Sequence, residues 1–242
     1  MNTFRQYDYY QYHYKKWEPS PEEGATHRRG LWRMFGQYVP PDRGTNILDI
    51  GCGTGQWLMT LAEREYKNIE GVELSPQQSH VCLERKLPVK LVNDTSEFLA
   101  SCEPTYGLIT MFDVLEHIPK EDQIRVISGA RAALKVGGTF ICTVPNANSI
   151  VAARWRYIDW THEISFTEDS LDYVLSVAGF CNIRVHESRG KPRMPWLLRP
   201  SVLNYYWRNY QRWKYRCLLY AEIGKQAWGI PLSYNLIGIG MR

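Results

Sequence analysis

The fold of this chain of 242 residues is decided by the segment Ile47-Leu48-Asp49-Ile50-Gly51-Cys52-Gly53-Thr54-Gly55. A short apolar run interrupted by one acid comes first, and three glycines at alternate positions follow it. The run predicts a buried parallel strand, and the glycines allow a tight turn that brings a ligand close to the backbone. A helix expected from Gln56 would then direct its N-terminal N–H groups at that ligand.

Gly-rich turns of this kind also occur in dinucleotide-binding folds, and two details separate the possibilities. The dinucleotide pattern is G-x-G-x-x-G, whereas Gly55 comes one residue early. Asp49 stands directly before the loop, where its negative charge would suit a cationic ligand and repel a pyrophosphate. The segment therefore favours a positively charged ligand.

On both sides of the loop, apolar runs alternate with segments of helical spacing. This alternation predicts an α/β fold with a parallel sheet and helices on both faces. The predicted strands are Asn46–Ile50, Ile69–Leu74, Lys90–Val92, Gly107–Phe112, Thr139–Val144, Cys181–His186 and Asn235–Met241. The predicted helices are Ala25–Tyr38, Gln56–Glu65, Pro76–Arg85, Ser96–Ala100, Gln123–Leu134, Thr167–Ala178 and one from Leu203 to Gly224.

The composition is that of an ordinary globular protein, with 44% hydrophobic and 22% charged residues. The first residues contain no signal-peptide pattern, and no apolar run is long enough to cross a membrane. The six cysteines are scattered, which argues against disulfides or a zinc site. We therefore expect a cytoplasmic protein. Residues 189–242 hold ten Lys and Arg against one acid, which allows contact with an anionic partner.

The sequence Asp49–Gly55 resembles motif I of class I S-adenosylmethionine (SAM)-dependent methyltransferases, and later landmarks follow in that family's order from residue 45 to about residue 190. These landmarks are Val72-Glu73-Leu74, Asn93-Asp94-Thr95, Phe112-Asp113-Val114-Leu115-Glu116-His117-Ile118 and Leu134-Lys135-Val136-Gly137-Gly138, in which Val136 replaces the usual proline. The resemblance implies a Rossmann-like seven-stranded sheet, mostly parallel with the last strand antiparallel, and a helical insertion before that strand.

The same resemblance implies SAM as the cofactor and assigns its contacts. Glu73 would bind the ribose hydroxyls, because a carboxylate accepts two O–H bonds. Asp94 would meet the adenine, and Asp113 the methionine end. The full set of expected cofactor residues is Asp49, Gly51, Cys52, Gly53, Gly55, Glu73, Leu74, Asp94, Thr95, Phe112 and Asp113.

The organisation expected from these patterns has four parts. Residues 1–44 form an aromatic and helical lead-in, with a tyrosine cluster between Tyr7 and Tyr14. Residues 45–188 form the SAM-binding methyltransferase core, 189–233 a basic aromatic helical insertion, and 234–242 the terminal strand. In the insertion, an apolar stripe and the arginines occupy different faces of one helix. We expect a lid helix with its stripe on the domain and its arginines in solvent; peripheral membrane contact is the alternative.

Methyl transfer to a hydroxyl needs a group that accepts the proton. The main candidate is His162, in the segment Tyr157-Ile158-Asp159-Trp160-Thr161-His162 that follows the fifth predicted strand. Asp159 would orient His162 or act as the base itself. Tyr157 is expected to contact the acceptor.

Four further residues are expected at the acceptor: His117, Asn146, His27 and Arg28. The segment containing Asp113, Glu116 and His117 resembles part of a divalent-metal site in ubiquinone-pathway O-methyltransferases. The same Glu-His-Ile string occurs in methyltransferases that use no metal. We therefore expect no metal, with these three residues as the candidates for one.

The acceptor is the least determined feature. The position after the fourth strand lacks the Asn/Asp-Pro-Pro-aromatic segment of nucleic-acid amino methyltransferases, so we expect no nucleic-acid partner.

Trp17–Arg28 and Tyr157–Thr167 resemble segments of methyltransferases of bacterial surface-polysaccharide biosynthesis. We therefore expect O-methylation of a sugar or sugar-linked group, free or lipid-linked. The alternatives are a quinone-type or other small-molecule O-methyltransferase, and a SAM-binding protein without catalysis. The oligomeric state is left open.

Overall fold

The computed structural model describes residues 20–188 and 200–242. The predicted tyrosine cluster and the first part of the basic insertion lie outside these described residues. Seven strands and eight α-helices are found within them. The strands are β1 Ile47–Ile50, β2 Ile69–Glu73, β3 Val89–Leu91, β4 Tyr106–Phe112, β5 Leu134–Pro145, β6 Cys181–Glu187 and β7 Asn235–Met241. The helices are α1 Pro21–Phe35, α2 Gln56–Ala62, α3 Pro76–Glu84, α4 Thr95–Ala100, α5 Lys120–Ala133, α6 Ala152–Tyr157, α7 Glu168–Val177 and α8 Pro200–Ile223.

The strands form a single sheet in the order β3-β2-β1-β4-β5-β7-β6. Strands β1 to β5 pair in parallel, while β7 is antiparallel to both β5 and β6. This topology confirms the expected Rossmann-like sheet of seven strands. Between β1 and β4 the strand order reverses direction, and in open parallel sheets ligands bind at such a point, beyond the carboxyl ends of the strands.

The sheet carries a hydrophobic layer on each face. One layer includes Leu48, Ile109 and Phe140 and packs against α5 and α7. On the other face, Ile47, Leu108 and Ile141 of the strands share a cluster with Phe35 of α1 and Trp57 of α2. All four residues of β1 are buried, as expected of a central strand covered on both faces.

Helix α6 was not predicted, and several element boundaries differ from the sequence prediction. Two of the boundary differences have a clear cause. Helix α1 begins at Pro21 rather than Ala25, because Ser20 and Glu23 form a capping box in which each side chain accepts a bond from the other's backbone N–H. Strand β5 begins at Leu134 rather than Thr139, because Leu134 already pairs with Tyr106. The Gly137-Gly138 pair therefore lies inside β5, where a register shift accommodates it.

The insertion helix α8 is oriented opposite to the expected lid. Its aromatic stripe is exposed, with Tyr206, Trp207 and Trp213 each more than half accessible. The guanidinium of Arg216, by contrast, donates to the backbone carbonyls of Ala227, Trp228 and Ile230. The expected orientation of the stripe was wrong because Arg216 bonds to the segment before β7, and this leaves the apolar stripe outward.

The length and hydropathy of the described helices bear on the membrane contact considered for the insertion. Among the residues that the structure describes, no helix is both long and apolar enough to span a bilayer.

Candidate functional site

Two positions of the Asp49–Gly55 loop require glycine, because of their backbone conformation and because neighbouring side chains leave no space for a Cβ atom. Gly51 has a φ of 65°, and a Cβ atom there would lie 2.4 Å from Cγ2 of Val114. Gly55 has a φ of 79°, and a Cβ atom there would lie 2.3 Å from Cδ1 of Leu87. Both positions combine a left-handed conformation with no room for a side chain. The tight turn leaves the N-terminus of α2 facing the carboxyl edge of the sheet.

Asp49 is the buried acid at the end of β1. Its Oδ1 atom accepts a hydrogen bond of 2.7 Å from Thr110, its register partner on β4. Burial raises the pKa of Asp49 from 3.8 to about 7, against the lowering effect of the Thr110 hydrogen bond, and the charge of Glu73 raises it further. A cation bound beside Asp49 would oppose this rise.

Glu73 ends β2 and is tied to the backbone around it. Its Oε2 atom accepts from the N–H of Gly53, and its Oε1 atom accepts from those of Leu74 and Ser75. Burial raises the pKa of Glu73, and the three backbone donors oppose that rise. The carboxylate thus connects the glycine loop to the strand beside it, and a ribose hydroxyl would share its oxygens with these N–H groups.

A cleft of about 430 Å³ opens along this edge of the sheet. Eleven of the predicted cofactor and acceptor residues line it: His27, Asp49, Gly51, Cys52, Gly53, Glu73, Leu74, Thr95, Phe112, Asp113 and His117. Among the described residues that form its wall there are three carboxylates and neither Lys nor Arg. We call this cavity the acidic cleft. Its charge fits a cationic ligand such as SAM, whose sulfonium and ammonium groups are positive.

Two predicted cofactor residues, Gly55 and Asp94, are not among the described residues that line the acidic cleft. Each is the N-cap of a helix. Gly55 occupies the N-cap of α2. Asp94 caps α4, and its Oδ1 atom accepts from the backbone N–H groups of Ser96 and Glu97. The adenine contact of Asp94 stays a prediction, in which the cap would place the neighbouring Thr95 at the cleft.

His117 is a buried histidine in the turn after β4. It lines the acidic cleft, and its ring packs edge-on against that of His162 with 4.6 Å between centroids. His162 is not among the described residues that line the cleft. Its Nδ1 atom donates to the carbonyl of Trp155 at 2.7 Å, and in a neutral ring the acceptor nitrogen is then Nε2.

Asp159 reaches His117 through Thr161. The Thr161 hydroxyl donates to Oδ1 of Asp159 at 2.7 Å, so it accepts a bond from Nδ1 of His117, also at 2.7 Å. In a neutral ring this places the lone pair of His117 on Nε2. The Asp159 carboxylate therefore orients His117, whereas the sequence led us to expect it beside His162.

Glu116, His117 and His162 form the one group among the described residues whose ligand atoms could hold a metal, with all three within 4.8 Å of one another. Burial raises the pKa of Glu116 well above its usual value, and the nearby charge of Asp113 adds to this. Asp113 itself accepts bonds from Thr143 and Asn235 through Oδ1. The candidate ligand set thus contains His162 where the sequence had suggested Asp113.

Three predicted acceptor residues are placed elsewhere. Asn146 is buried, its amide donates to the carbonyls of Pro231 and Ser233, and its Oδ1 accepts from the N–H of Asn148, so its polar atoms hold the chain together. Arg28 bonds to Glu63, the C-cap of α2, at 2.6 Å. Tyr157 is 77% exposed and does not belong to the lining of the acidic cleft. The structure thus gives Asn146 and Arg28 other hydrogen-bond partners and leaves Tyr157 off the described lining of the cleft, so their contact with an acceptor stays a prediction.

Several residues that line the cleft were not predicted from the sequence. Trp57 and Gln78 line it from α2 and α3, and Tyr234 from the segment before β7. Thr110 was recognisable in principle, because it is a polar residue inside an apolar strand. Tyr234 carried no such signal, since its position depends on the antiparallel return of β7 beside β5.

Comparison with known proteins is consistent with this geometry. A family model described as "Methyltransferase domain" matches residues 25–185. The ubiquinone biosynthesis O-methyltransferase of Cereibacter sphaeroides is 29% identical over 156 residues, which cover 57% of this chain and 61% of that protein. The chain therefore matches less than two thirds of the length of this relative.

Solved structures share the fold. A SAM-dependent methyltransferase from Archaeoglobus fulgidus superposes with a TM-score of 0.66 at 20% identity, covering 97% of this chain and 100% of that one. Phosphoethanolamine N-methyltransferase 2 of Haemonchus contortus, in complex with S-adenosyl-L-methionine, gives 0.59 at 18% identity, covering 88% and 52%. By the family model and by the fold, this chain belongs to the methyltransferase domain family.

Proposed function

We propose that the protein transfers the methyl group of SAM to a hydroxyl oxygen of a small acceptor, with His117 accepting the hydroxyl proton. The observation that carries this proposal is the position of His117 on the wall of the acidic cleft, held by Thr161 with its acceptor nitrogen at Nε2. SAM supplies an activated methyl group, so the protein's part is to orient the acceptor and take its proton.

The cofactor half of the proposal rests on charge and shape. The acidic cleft has Asp49 and Glu73 in its wall and the glycine loop at its base. A cationic cofactor is stabilised by these carboxylates, while a pyrophosphate would be repelled by them. Phe112, whose ring stacks on that of Phe35 with 4.3 Å between centroids, gives the wall apolar surface.

A quinone-type acceptor is the first candidate for the hydroxyl compound. Relatives named as ubiquinone biosynthesis O-methyltransferases match this chain over more than half of its length. The wall near His117 and Phe112 is aromatic and apolar, which suits a hydroxylated ring. The sugar acceptor expected from the sequence is the second candidate. It is favoured by Tyr234, a 43% exposed ring at the cleft beside Trp155, because aromatic faces also pack on sugar rings.

Methyl transfer from labelled SAM to two acceptor panels tests the proposal. One panel holds catechols and hydroquinones, and the other holds nucleotide sugars and simple glycosides. We expect release of S-adenosylhomocysteine and a labelled O-methyl product with one panel. Methylation of nitrogen, or no turnover with any hydroxyl compound, would contradict the proposal.

A metal-assisted form of the reaction is supported by the ligand atoms of Glu116, His117 and His162. In that form a divalent cation would lower the pKa of the acceptor hydroxyl. A chelator separates the two forms. Turnover by His117 alone is unchanged by chelation, whereas the metal-assisted form loses activity and regains it when Mg²⁺ or Zn²⁺ is added back.

A further inference from the structure

A smaller cavity of about 140 Å³ adjoins the acidic cleft. Met34, Ser188 and Tyr234 belong to the lining of both cavities, so these residues form the boundary between them. A molecule that enters the acidic cleft beside Tyr234 can therefore extend into the smaller cavity.

The outer wall of this cavity is one face of α8. Its lining residues Tyr205, Arg208, Asn209 and Arg212 follow one another at spacings of three, one and three residues. Residues three, four and seven apart share a helix face, so all four point to the same side. This face is opposite to the exposed aromatic stripe.

Arg216 fixes the orientation of that face. It continues the four-residue spacing of Arg208 and Arg212, and its guanidinium bonds to three backbone carbonyls between Ala227 and Ile230. Because the helix is held there, the face that carries Arg208 and Arg212 stays at the cavity, where Arg212 is half-buried and Arg208 is also exposed to solvent.

The two cavities carry opposite charge. The described wall of the smaller cavity has two arginines and no carboxylate, whereas that of the acidic cleft has three carboxylates and neither Lys nor Arg. We infer that the smaller cavity, which we call the basic annex, is a subsite for an anionic group of the methyl acceptor, a phosphate or a carboxylate. This inference rests on the proposed function, because it takes the acidic cleft as the place of methyl transfer.

The chemistry of the annex suits an oxyanion. Guanidinium groups present a planar fork of N–H donors that matches the oxygens of phosphate or carboxylate. The side chains of Asn209 and Tyr205 can donate further bonds. An anionic group next to Asp113 would be repelled, so a separate basic compartment lets an anionic acceptor bind beside a cationic cofactor.

Calorimetric titration of the full chain tests the inference with two probes, inorganic pyrophosphate and benzoate. The test variant is Arg208→Gln/Arg212→Gln, and the control is Lys214→Gln/Lys225→Gln, which removes the same charge from two exposed positions away from the annex. The single variant Arg208→Gln, at an exposed position, serves if the double variant fails to fold. SAM affinity is measured in each protein.

We expect saturable binding of one probe to the wild type, at least about tenfold weaker in the arginine variant and close to wild type in the lysine variant. The probe that binds distinguishes a phosphate from a carboxylate. Binding that is equally weak in both variants, or no saturable binding of either probe, would overturn the inference. A wild type that binds SAM and transfers methyl but binds neither probe contradicts the annex alone, while a wild type that binds a probe at the annex without methyl transfer contradicts the proposed function alone.

Discussion

The Nδ1 atom of His117 lies 2.7 Å from the Oγ1 atom of Thr161, although the two residues are separated by 44 positions in the chain. Thr161 comes from the segment after α6, and His117 from the turn after β4. The contact determines which nitrogen of His117 faces the acceptor, since the Thr161 hydroxyl has donated its own proton to Asp159. The proposed chemistry depends on this contact.

Replacing His117 with glutamine removes the proposed base while keeping a side chain that can hydrogen-bond. We expect kcat to fall by about 10²–10⁴-fold, because general-base catalysis contributes on that scale, with SAM affinity near the wild-type value. The control is His80→Gln, at an exposed position on α3. Single-turnover rates and SAM titration check both values. A parallel loss of SAM binding would assign His117 to the cofactor instead.

Thr161 is proposed as a positioning residue, so its effect should pass through His117. Thr161→Val removes the hydroxyl, and we expect kcat to fall about tenfold and its pH dependence to shift. Thr161→Ser restores the hydroxyl and should recover both. If the valine variant loses stability but keeps its kcat and pH profile, then Thr161 has a structural role only.

The pH dependence of SAM binding should report Asp49. Its pKa in the ligand-free protein is about 7, and a cation prefers the ionised form, so the Kd should rise about tenfold per pH unit as the pH falls below 7. Asp49→Asn should bind SAM weakly with a flat profile. Calorimetry between pH 5 and pH 8 measures both proteins, and equal slopes would exclude Asp49 as the titrating group.

The same carboxyl group affects stability with the opposite sign. Its pKa is 3.8 in the reference state and about 7 when folded, so the folded protein binds a proton that the unfolded chain releases between these values. The contribution of Asp49 to the free energy of unfolding therefore falls as the pH rises from about 4 to about 7. In Asp49→Asn that contribution is absent, which urea unfolding across this range would measure.

Much of the fold followed from local patterns in the sequence. The apolar runs gave the strands, and the loop glycines and Glu73 fell where the resemblance placed them. The exceptions involve contacts between distant segments. Asn146 is bonded to carbonyls more than 80 residues away, so its buried role had no local signal.

The orientation of α8 could not be predicted from the sequence either. Helical spacing separated the aromatic stripe from the arginines, but it could not tell which of the two would face the domain. Hydrophobicity favoured the stripe as the inner face. In the structure the arginine face is the inner one, because Arg216 donates hydrogen bonds to three backbone carbonyls before β7. The position of these carbonyls depends on the return of the chain to the sheet.

Two glycines with left-handed backbone, Gly55 in the loop and Gly137 in β5, allow a matched test of strain and packing. Gly55 and Gly137 have similar φ values of 79° and 75°, but only Gly55 has a neighbour, Leu87, in the path of a Cβ atom. We expect Gly137→Ala to lose about 1–2 kcal/mol from left-handed strain alone. Gly55→Ala should lose more, because Leu87 must also move. Equal losses in urea unfolding would show that the contact with Leu87 has no energetic effect.

The central claim is that the acidic cleft binds SAM, and calorimetric titration of SAM into the full chain tests it most directly. Glu73→Ala is the test variant, and Glu70→Ala, from the same strand but bonded to Tyr106, is the control. We predict saturable binding at one site in the wild type, about 100-fold weaker binding in Glu73→Ala as its charge-assisted bonds are lost, and near wild-type binding in Glu70→Ala. No saturable binding in the wild type, or equal loss in two folded variants, would contradict the claim.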